Sequence, residues 1–376
     1  MDYTEYSDYT INDALFWQDF RGLLSILNRS AKENIQMEST SGEAVSLKSL
    51  FRILLFGCIL ALLLTIAGII LNPGKFFLEG HIKDRNARYA EIMTVPRDCI
   101  DIYNVGNSLA LVGISPMDLW NDEGYASFNL CKGASRTSEA YYLLRHGLKY
   151  QHPRVIMIET NMMFRSDDPL TDAQAAVSEI FQYYFPFIRF HNLWQSVGKK
   201  EGSIREYYMG YLVSEHIMPY TGDLDYLKPT DEVKEIDPMS VFYMDRILRL
   251  CEKENIDVIL YSLCSPKCYD TTRLNAIRNY VSSRGVNYID FNQNWQEMGI
   301  DWSHDTRDEG DHLNEYGVAK VTSYMGQYLR GHYDLPDHRG EADYSSWDDL
   351  YTAYLKTLKD MEGVSYYMLE GDTVYD

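Results

Sequence analysis

Residues 100–109 read IDIYNVGNSL, a short apolar run followed at once by Gly106-Asn107-Ser108-Leu109. An apolar run of this length, bounded by turn residues, is typical of a strand buried on both faces of a sheet. A serine on a tight turn directly after such a strand can act as a nucleophile, and Gly106 would permit the turn. The stretch therefore predicts a strand that carries Ser108 to one edge of a sheet.

A second motif lies about 200 residues later, where residues 308–314 read DEGDHLN at the head of an amphipathic helix. His312 follows several carboxylates, and one of them can orient its imidazole while His312 serves as base to a serine. The alternatives are an acidic surface loop without chemistry, and His304, three residues after Asp301, as a rival base. The candidate acids are Asp305, Asp308, Glu309 and Asp311.

Around these motifs, apolar runs alternate with helical periods. We predict strands over residues 100–105, 126–130, 155–160, 256–263 and 286–291, and helices from Ser115-Pro116 and over residues 137–150, 238–253, 271–284 and 313–329. Strands that alternate with helices imply a parallel sheet covered on both faces. The predicted fold is α/β, a three-layer α/β/α domain with a parallel, roughly five-stranded sheet over residues 98–333.

Three segments depart from this alternation. Residues 164–236, with an aromatic helix predicted over 181–194, are interpreted as an insertion over the active-site edge. Residues 53–71 read ILLFGCILALLLTIAGIIL without a charge, and at 1.5 Å per residue they nearly cover a bilayer core of about 30 Å. We predict one transmembrane helix over residues 50–72, between a polar segment, 1–49, and a linker, 73–97. The tail over residues 334–376 is acidic.

The apolar run over residues 53–71 has two alternative interpretations, a signal peptide and a buried core helix. About 50 polar residues precede the run, which argues against a signal peptide. A buried core helix would rarely lack every charged and amide side chain. Lysines and arginines flank the run on both sides, so charge does not assign its orientation.

The charge and the cysteine content of the chain narrow the classes of ligand and cofactor that the protein is expected to bind. The net charge of -20 and the pI near 4.8 disfavour nucleic acid and anionic lipid as ligands. Cys264 and Cys268 form the one close pair among six cysteines, either as a disulfide or as unpaired packing residues. No metal, nucleotide or other cofactor motif stands out, so we predict none.

Together the motifs resemble those of the SGNH/GDSL hydrolase superfamily. Gly106-Asn107-Ser108-Leu109 is similar to the first block, GDSL, with Asn in place of Asp, and residues 308–317, DEGDHLNEYG, resemble the last block. The D-H-L-N-x-x-G pattern looks more specifically like the membrane-anchored bacterial branch with the DltD-like and alginate O-acetyltransferase-like proteins. The resemblance covers residues 95–333 and implies the SGNH-hydrolase, flavodoxin-like arrangement of the sheet.

The resemblance also implies roles for single residues. Ser108 matches the nucleophile and His312 the base, while the N–H of Ser108, Gly133 after the second strand and Asn161 after the third match the oxyanion hole. The usual G-x-N-D context around Asn161 is absent.

For the acid, Asp308 fits the branch pattern best and can fold back across a turn that contains Gly310. Glu309 has the commoner family spacing, three residues before His312. Asp311 adjoins His312 in the chain, so its side chain should diverge.

The leading interpretation is a serine esterase or O-acyltransferase, O-acetyl in this branch, that acts on extracytoplasmic polysaccharide. The resemblance implies a single-pass plasma-membrane protein with residues 1–49 in the cytoplasm, working beside a multipass membrane acyltransferase. The alternatives are a non-catalytic SGNH-fold protein that binds glycan or scaffolds a complex, and a membrane-anchored interaction protein of unrelated α/β fold. Hydrolysis and transfer use the same triad, so both stay open.

Overall fold

The computed structural model describes residues 18, 19, 21, 47–82, 85–166, 168–199 and 207–361. The chain divides into two compact units. The helical unit comprises Met1–Asn86 and Asp167–Ile204, and the sheet unit comprises Ala87–Ser166 and Arg205–Asp376. The segment interpreted as one insertion, 164–236, is thus divided between the two units.

The secondary structure follows the predicted alternation. The strands are β1 (Ile102–Gly106), β2 (Ser127–Cys131), β3 (Val155–Glu159), β4 (Asp257–Ser262) and β5 (Asn287–Asp290). The helices are α1 (Leu47–Ile70), α2 (Pro73–Leu78), α3 (Ala87–Glu91), α4 (Ser108–Leu111), α5 (Pro116–Glu123), α6 (Thr137–Gly147), α7 (Pro169–Tyr184), α8 (Pro186–Arg189), α9 (Pro238–Lys253), α10 (Thr271–Arg284), α11 (Phe291–Asn294), α12 (Glu315–His332) and α13 (Ser345–Met361). Short 3-10 turns cover Asn161–Phe164, Leu193–Ser196 and Ala342–Tyr344.

The strands form one sheet in the order β2-β1-β3-β4-β5, and every pair is parallel. All residues of β1, β2 and β3 are buried, as expected for strands covered on both faces. Helix α6 packs against α9, while α5 packs against α12 and α13. The predicted α/β fold with a parallel five-stranded sheet is therefore confirmed. Its strand order reverses direction between β1 and β3, where ligands bind in open α/β sheets.

The helix predicted over residues 181–194 is wrong. Helix α7 ends at Tyr184 and a new helix, α8, begins at Pro186. Proline lacks an N–H and disfavours the helical conformation in the residue before it, and Phe185 adopts φ -127° and ψ 77°. The aromatic run is therefore divided between α7, α8 and the 3-10 turn Leu193–Ser196.

Helix α1 covers most of the apolar run over residues 53–71. Within the described ranges, no helix has both the length and the apolar character that crossing a bilayer requires. The transmembrane helix over residues 50–72 remains a prediction. The polar segment 1–49 lies outside the described residues except for 18, 19, 21 and 47–49, and so do residues 362–376 of the tail.

Candidate active site

The turn after β1 presents Ser108 as the first residue of α4. Asn107 caps this helix, because its side chain accepts the N–H of Leu109 at 3.0 Å. Gly106 has no positive φ, so it permits the turn through the absence of a side chain. A Cβ at this position would lie 2.6 Å from the Cβ of Ala110 and 2.9 Å from that of Glu159. Glycine is needed here because α4 and β3 approach β1 so closely.

Two buried asparagines anchor α4 to the sheet. The Nδ2 of Asn104 donates to the carbonyl of Ala110 at 3.0 Å and to Oδ1 of Asn129 at 3.1 Å. The Oδ1 of Asn104 accepts the hydroxyl of Tyr261 at 2.7 Å. The Nδ2 of Asn129 donates to the carbonyl of Leu111, the last residue of α4, at 3.3 Å and to that of Ile114 at 2.7 Å. These bonds satisfy both amides and fix the helix that begins with Ser108.

The loop before α12 brings His312 to the same edge of the sheet. Glu309 and Gly310 have left-handed backbone, φ 61° and 90°, and the chain reverses there. Asp308 consequently lies beside His312, with Oδ1 accepting its backbone N–H at 2.6 Å and Oδ2 lying 2.6 Å from its Nδ1. The Nε2 of His312 lies 2.8 Å from the Oγ of Ser108.

The partners of His312 fix its tautomer. An ionised carboxylate only accepts hydrogen bonds, so Nδ1 donates to Asp308 and Nε2 is free to accept from Ser108. Burial by itself would raise the pKa of Asp308, but the hydrogen bonds and the charge of His312 outweigh burial and bring the pKa below its ordinary value. Asp308 is therefore ionised at neutral pH and can stabilise an imidazolium at His312.

The rival acids have other partners. The carboxylate of Glu309 is exposed and pairs with Lys267 at 3.0 Å. The Oδ1 of Asp311 accepts the thiol of Cys268 at 2.9 Å, while its Oδ2 lies 3.7 Å from Nδ1 of His312. Asp311 thus comes nearer to the imidazole than its place in the chain suggested, but Asp308 makes the hydrogen bond.

The remaining candidates lie apart from this bond path. His304 pairs with Asp305 at 3.0 Å and packs on Tyr316, with ring centroids 4.5 Å apart.

Cys264 and Cys268 are both free thiols, so the possible disulfide is not formed. Ligand atoms of Asp308, Asp311 and His312 lie within 4.8 Å of one another, a spacing that a metal ion could use. In this structure, however, both ring nitrogens of His312 already have hydrogen-bond partners: Nδ1 is bonded to Asp308 and Nε2 to Ser108.

Strand register brings the three candidate oxyanion donors to one level. Gly106 pairs with Cys131 of β2, and Val105 pairs with Ile158 of β3. Ser108 and Gly133 each follow the Gly106–Cys131 pair by two residues, and Ser108 and Asn161 each follow the Val105–Ile158 pair by three, so all three come directly after the ends of neighbouring parallel strands. Among the described residues, the N–H groups of Ser108 and Gly133 have no hydrogen-bond acceptor. Both are therefore available to a ligand at the switch point.

Asn161 is held from three directions. Its Oδ1 accepts Nδ2 of Asn107 at 2.8 Å, and its Nδ2 lies 3.4 Å from the carbonyl of Cys268. Its backbone N–H donates to Oε2 of Glu159 at 2.9 Å. Glu159 is a residue of this site that the sequence motifs did not indicate. The available signal was a carboxylate at the end of the apolar strand VIMIE.

Comparisons with known proteins return distant structural similarity. No protein-family model matches the chain, and no curated protein matches it either. Similar crystal structures include that of a Bacteroides fragilis protein assigned as an acylhydrolase, which is 12% identical, with a TM-score of 0.34, over 64% of this chain and 93% of that one. Another is a GDSL-like lipase from Bacteroides thetaiotaomicron, 13% identical, with a TM-score of 0.35, over 65% of this chain and 97% of that one. Because both TM-scores are low, a function must be inferred from the geometry of the site.

Proposed function

We propose that this protein is a serine esterase or O-acyltransferase of the SGNH type. Ser108 is the nucleophile, His312 the general base and Asp308 the acid that orients His312. The observation that carries the proposal is the continuous path from Asp308 to Nδ1 of His312, 2.6 Å, and from its Nε2 to Oγ of Ser108, 2.8 Å. A nucleophile hydrogen-bonded to a base, which a third group orients, is the arrangement that activates a serine.

The chemistry follows from these contacts. Oγ of Ser108 attacks the ester carbonyl while its proton passes to Nε2 of His312. The N–H groups of Ser108 and Gly133 and the amide Nδ2 of Asn161 stabilise the resulting oxyanion. When the intermediate collapses, the C–O bond of the ester breaks, the alcohol leaves with the proton from His312, and an acyl-serine remains. In an esterase, water then attacks the acyl-serine with His312 as base, and the carboxylic acid leaves as Ser108 regains its proton. In a transferase, an acceptor hydroxyl attacks in the same way and leaves as the new ester.

The deciding experiment compares the full-length chain with Ser108→Ala, using 4-nitrophenyl acetate as substrate. We expect kcat to fall by at least about 10³-fold in the variant, because the remaining groups supply only part of the rate enhancement. A fluorophosphonate should label the parent on Ser108 and leave the variant unlabelled. Parental turnover by Ser108→Ala would exclude the proposed nucleophile. Adding a sugar acceptor then separates hydrolysis from transfer by the appearance of acylated sugar.

The substrate and setting are further parts of the proposal. We propose O-acetyl groups of an extracytoplasmic polysaccharide as the substrate, residues 50–72 as a plasma-membrane anchor with residues 1–49 in the cytoplasm, and a multipass membrane acyltransferase as partner. The support is the uncharged run over residues 53–71 and the sequence resemblance. Protease added to intact cells should degrade the sheet unit and spare the amino-terminal segment; the reverse pattern would contradict this orientation.

One observation favours the non-catalytic alternative, in which the same site only binds a glycan. Both ends of the Asn161 amide already have partners within the protein, although the 3.4 Å contact of Nδ2 is long. In that case, glycan binding would be measurable and turnover by the parent would not exceed that of Ser108→Ala.

A further inference from the structure

Glu159 is a buried carboxylate that the proposed chemistry does not use. It is the last residue of β3, one of the two strands at the switch point, and its side chain is fully inaccessible to solvent. No lysine, arginine or histidine of the described ranges forms an ion pair with it. Since a carboxylate buried without a counter-charge is costly, the reason for its position has to lie in the hydrogen bonds that it makes.

Those hydrogen bonds join two loops of the site. Oε2 accepts the backbone N–H of Asn161 at 2.9 Å, and Oε1 accepts the hydroxyl of Tyr269 at 2.5 Å. The same hydroxyl lies 2.9 Å from Oγ1 of Thr160, which lies 2.6 Å from Oγ of Ser262 at the end of β4. Glu159 therefore fixes the first residues after β3 against the loop that follows β4.

The contacts continue to the nucleophile. Asn161, whose backbone Glu159 holds, accepts from Nδ2 of Asn107 at 2.8 Å, and Asn107 caps the helix that Ser108 begins. The Cβ of Glu159 also lies against Gly106, since a Cβ at Gly106 would be 2.9 Å away from it. Asn161 and the turn that carries Ser108 thus both depend on the position of Glu159.

We propose that Glu159 is a positioning residue of this site, which holds Asn161 so that its amide can donate to the oxyanion at Ser108. This rests on the proposed function of Ser108. Glu159 contacts neither the nucleophile nor the ester, so it acts through Asn161.

The protonation state of the Glu159 carboxyl determines which side chains can take its place. Burial raises the pKa of Glu159 to about 7, and the hydrogen bonds from Tyr269 and from the backbone of Asn161 oppose the rise. The neutral group keeps an oxygen for the N–H of Asn161. An amide keeps that oxygen too, and it can donate to the hydroxyl of Tyr269, which also accepts.

The test measures kcat and KM of the full-length chain with 4-nitrophenyl acetate in four single variants, followed by a double-mutant cycle with Asn161→Ala. Glu159→Leu removes the acceptor, and Glu159→Asp withdraws it by one methylene without adding volume. We expect each to lower kcat by about tenfold with KM changed less than about twofold, because an oxyanion donor acts on the transition state. Glu159→Gln should keep at least half of the parental kcat. Tyr269→Phe, a control that spares the Asn161 contact, should do the same.

A double-mutant cycle separates positioning from general damage. Asn161→Ala should lower kcat by about 100-fold, and adding Glu159→Asp should lower it by no more than about twofold further. Independent, multiplicative effects would overturn the proposal, as would parental kcat in Glu159→Asp or equal losses in Glu159→Asp and Glu159→Gln. If Ser108→Ala is inactive while the Glu159 variants behave like the parent, only this inference fails. If Ser108→Ala is as active as the parent, the proposed function fails first.

Discussion

At the residue scale, the position of Asp308 explains how a carboxylate four residues before His312 reaches its far nitrogen. The left-handed backbone at Glu309 and Gly310 reverses the chain within two residues. The reversal lets one carboxylate bind both the backbone N–H and Nδ1 of the same histidine. A Cβ at Gly310 would lie 2.8 Å from the ring of Tyr220, so glycine also fits the crowding there. The turn, rather than the spacing alone, selects Asp308 over Glu309.

If Asp308 orients His312 as proposed, Asp308→Asn should lower kcat by about 10³- to 10⁴-fold, as loss of the orienting acid does in serine hydrolases. An amide cannot stabilise the imidazolium and can turn an N–H toward Nδ1, which favours the wrong tautomer. Glu309→Gln, whose carboxylate pairs with Lys267, should stay within about twofold, and Asp311→Asn should fall between them. The measurement is kcat on an acetate ester. Equal, mild losses in all three variants would point instead to a Ser108–His312 dyad.

At the element scale, the junction of β1 and α4 determines the position of Ser108. Helix α4 has only four residues, so its own hydrogen bonds cannot hold it in place. Asn104 and Asn129 hold it from below, and Gly106 lets Ala110 approach the strand. The position of Ser108 therefore depends on close packing at this junction.

Gly106→Ala should displace α4 and lower both stability and activity. The new Cβ would meet Ala110 at 2.6 Å and Glu159 at 2.9 Å, distances that force a shift. Overpacking of this kind costs about 1–3 kcal/mol. We expect a lower melting temperature, kcat reduced by about tenfold or more through misplacement of Ser108, and partial recovery in Gly106→Ala/Ala110→Gly. Gly331→Ala, where nothing lies within 4 Å, is the matched control. If Gly106→Ala had the parental kcat, the junction would accommodate the new methyl group without misplacing Ser108, and the prediction would be wrong.

The elements that the sequence predicts best are those whose signal is local. The buried strands are short apolar runs because both of their faces are covered, and each of the five predicted runs overlaps an observed strand. The motifs around Ser108 and His312 are likewise local, and strand order then brings them together. The grouping of Asp167–Ile204 with the amino-terminal residues depends on long-range contacts that no short pattern encodes. The same applies to Glu159, whose partners come from other loops.

At the scale of the whole sheet unit, helix α13 is joined to α12, the helix that follows His312, through buried carboxyl groups. Glu315, the first residue of α12, accepts the hydroxyl of Tyr211 at 2.6 Å and that of Tyr354 from α13. Burial raises the pKa of Glu315 to about 8, the charge of Asp118 on α5 adds to the rise, and the two tyrosine hydroxyls oppose it. Burial likewise raises the pKa of Asp118 to about 6. The folded unit therefore favours protonated carboxyls at this contact between α5, α12 and α13.

This contact should make the protein less stable as the pH rises. A carboxyl with a raised pKa in the folded state binds its proton more tightly there than in the unfolded chain, so its contribution is complete below its ordinary value of 4.5 and is lost as the pH rises through about 8. Glu315→Gln cannot ionise, and it keeps one acceptor oxygen for one tyrosine hydroxyl while its NH2 group donates to the other hydroxyl, which can also accept. Between pH 5 and pH 8, we expect the melting temperature of the parent to fall by about 5 °C more than that of Glu315→Gln, measured by circular dichroism. Glu309→Gln, which alters an exposed carboxylate, should follow the parent. If the melting temperatures of Glu315→Gln and the parent changed in parallel with pH, Glu315 would have the same charge in the folded and unfolded states, and the predicted proton uptake at this contact would be wrong.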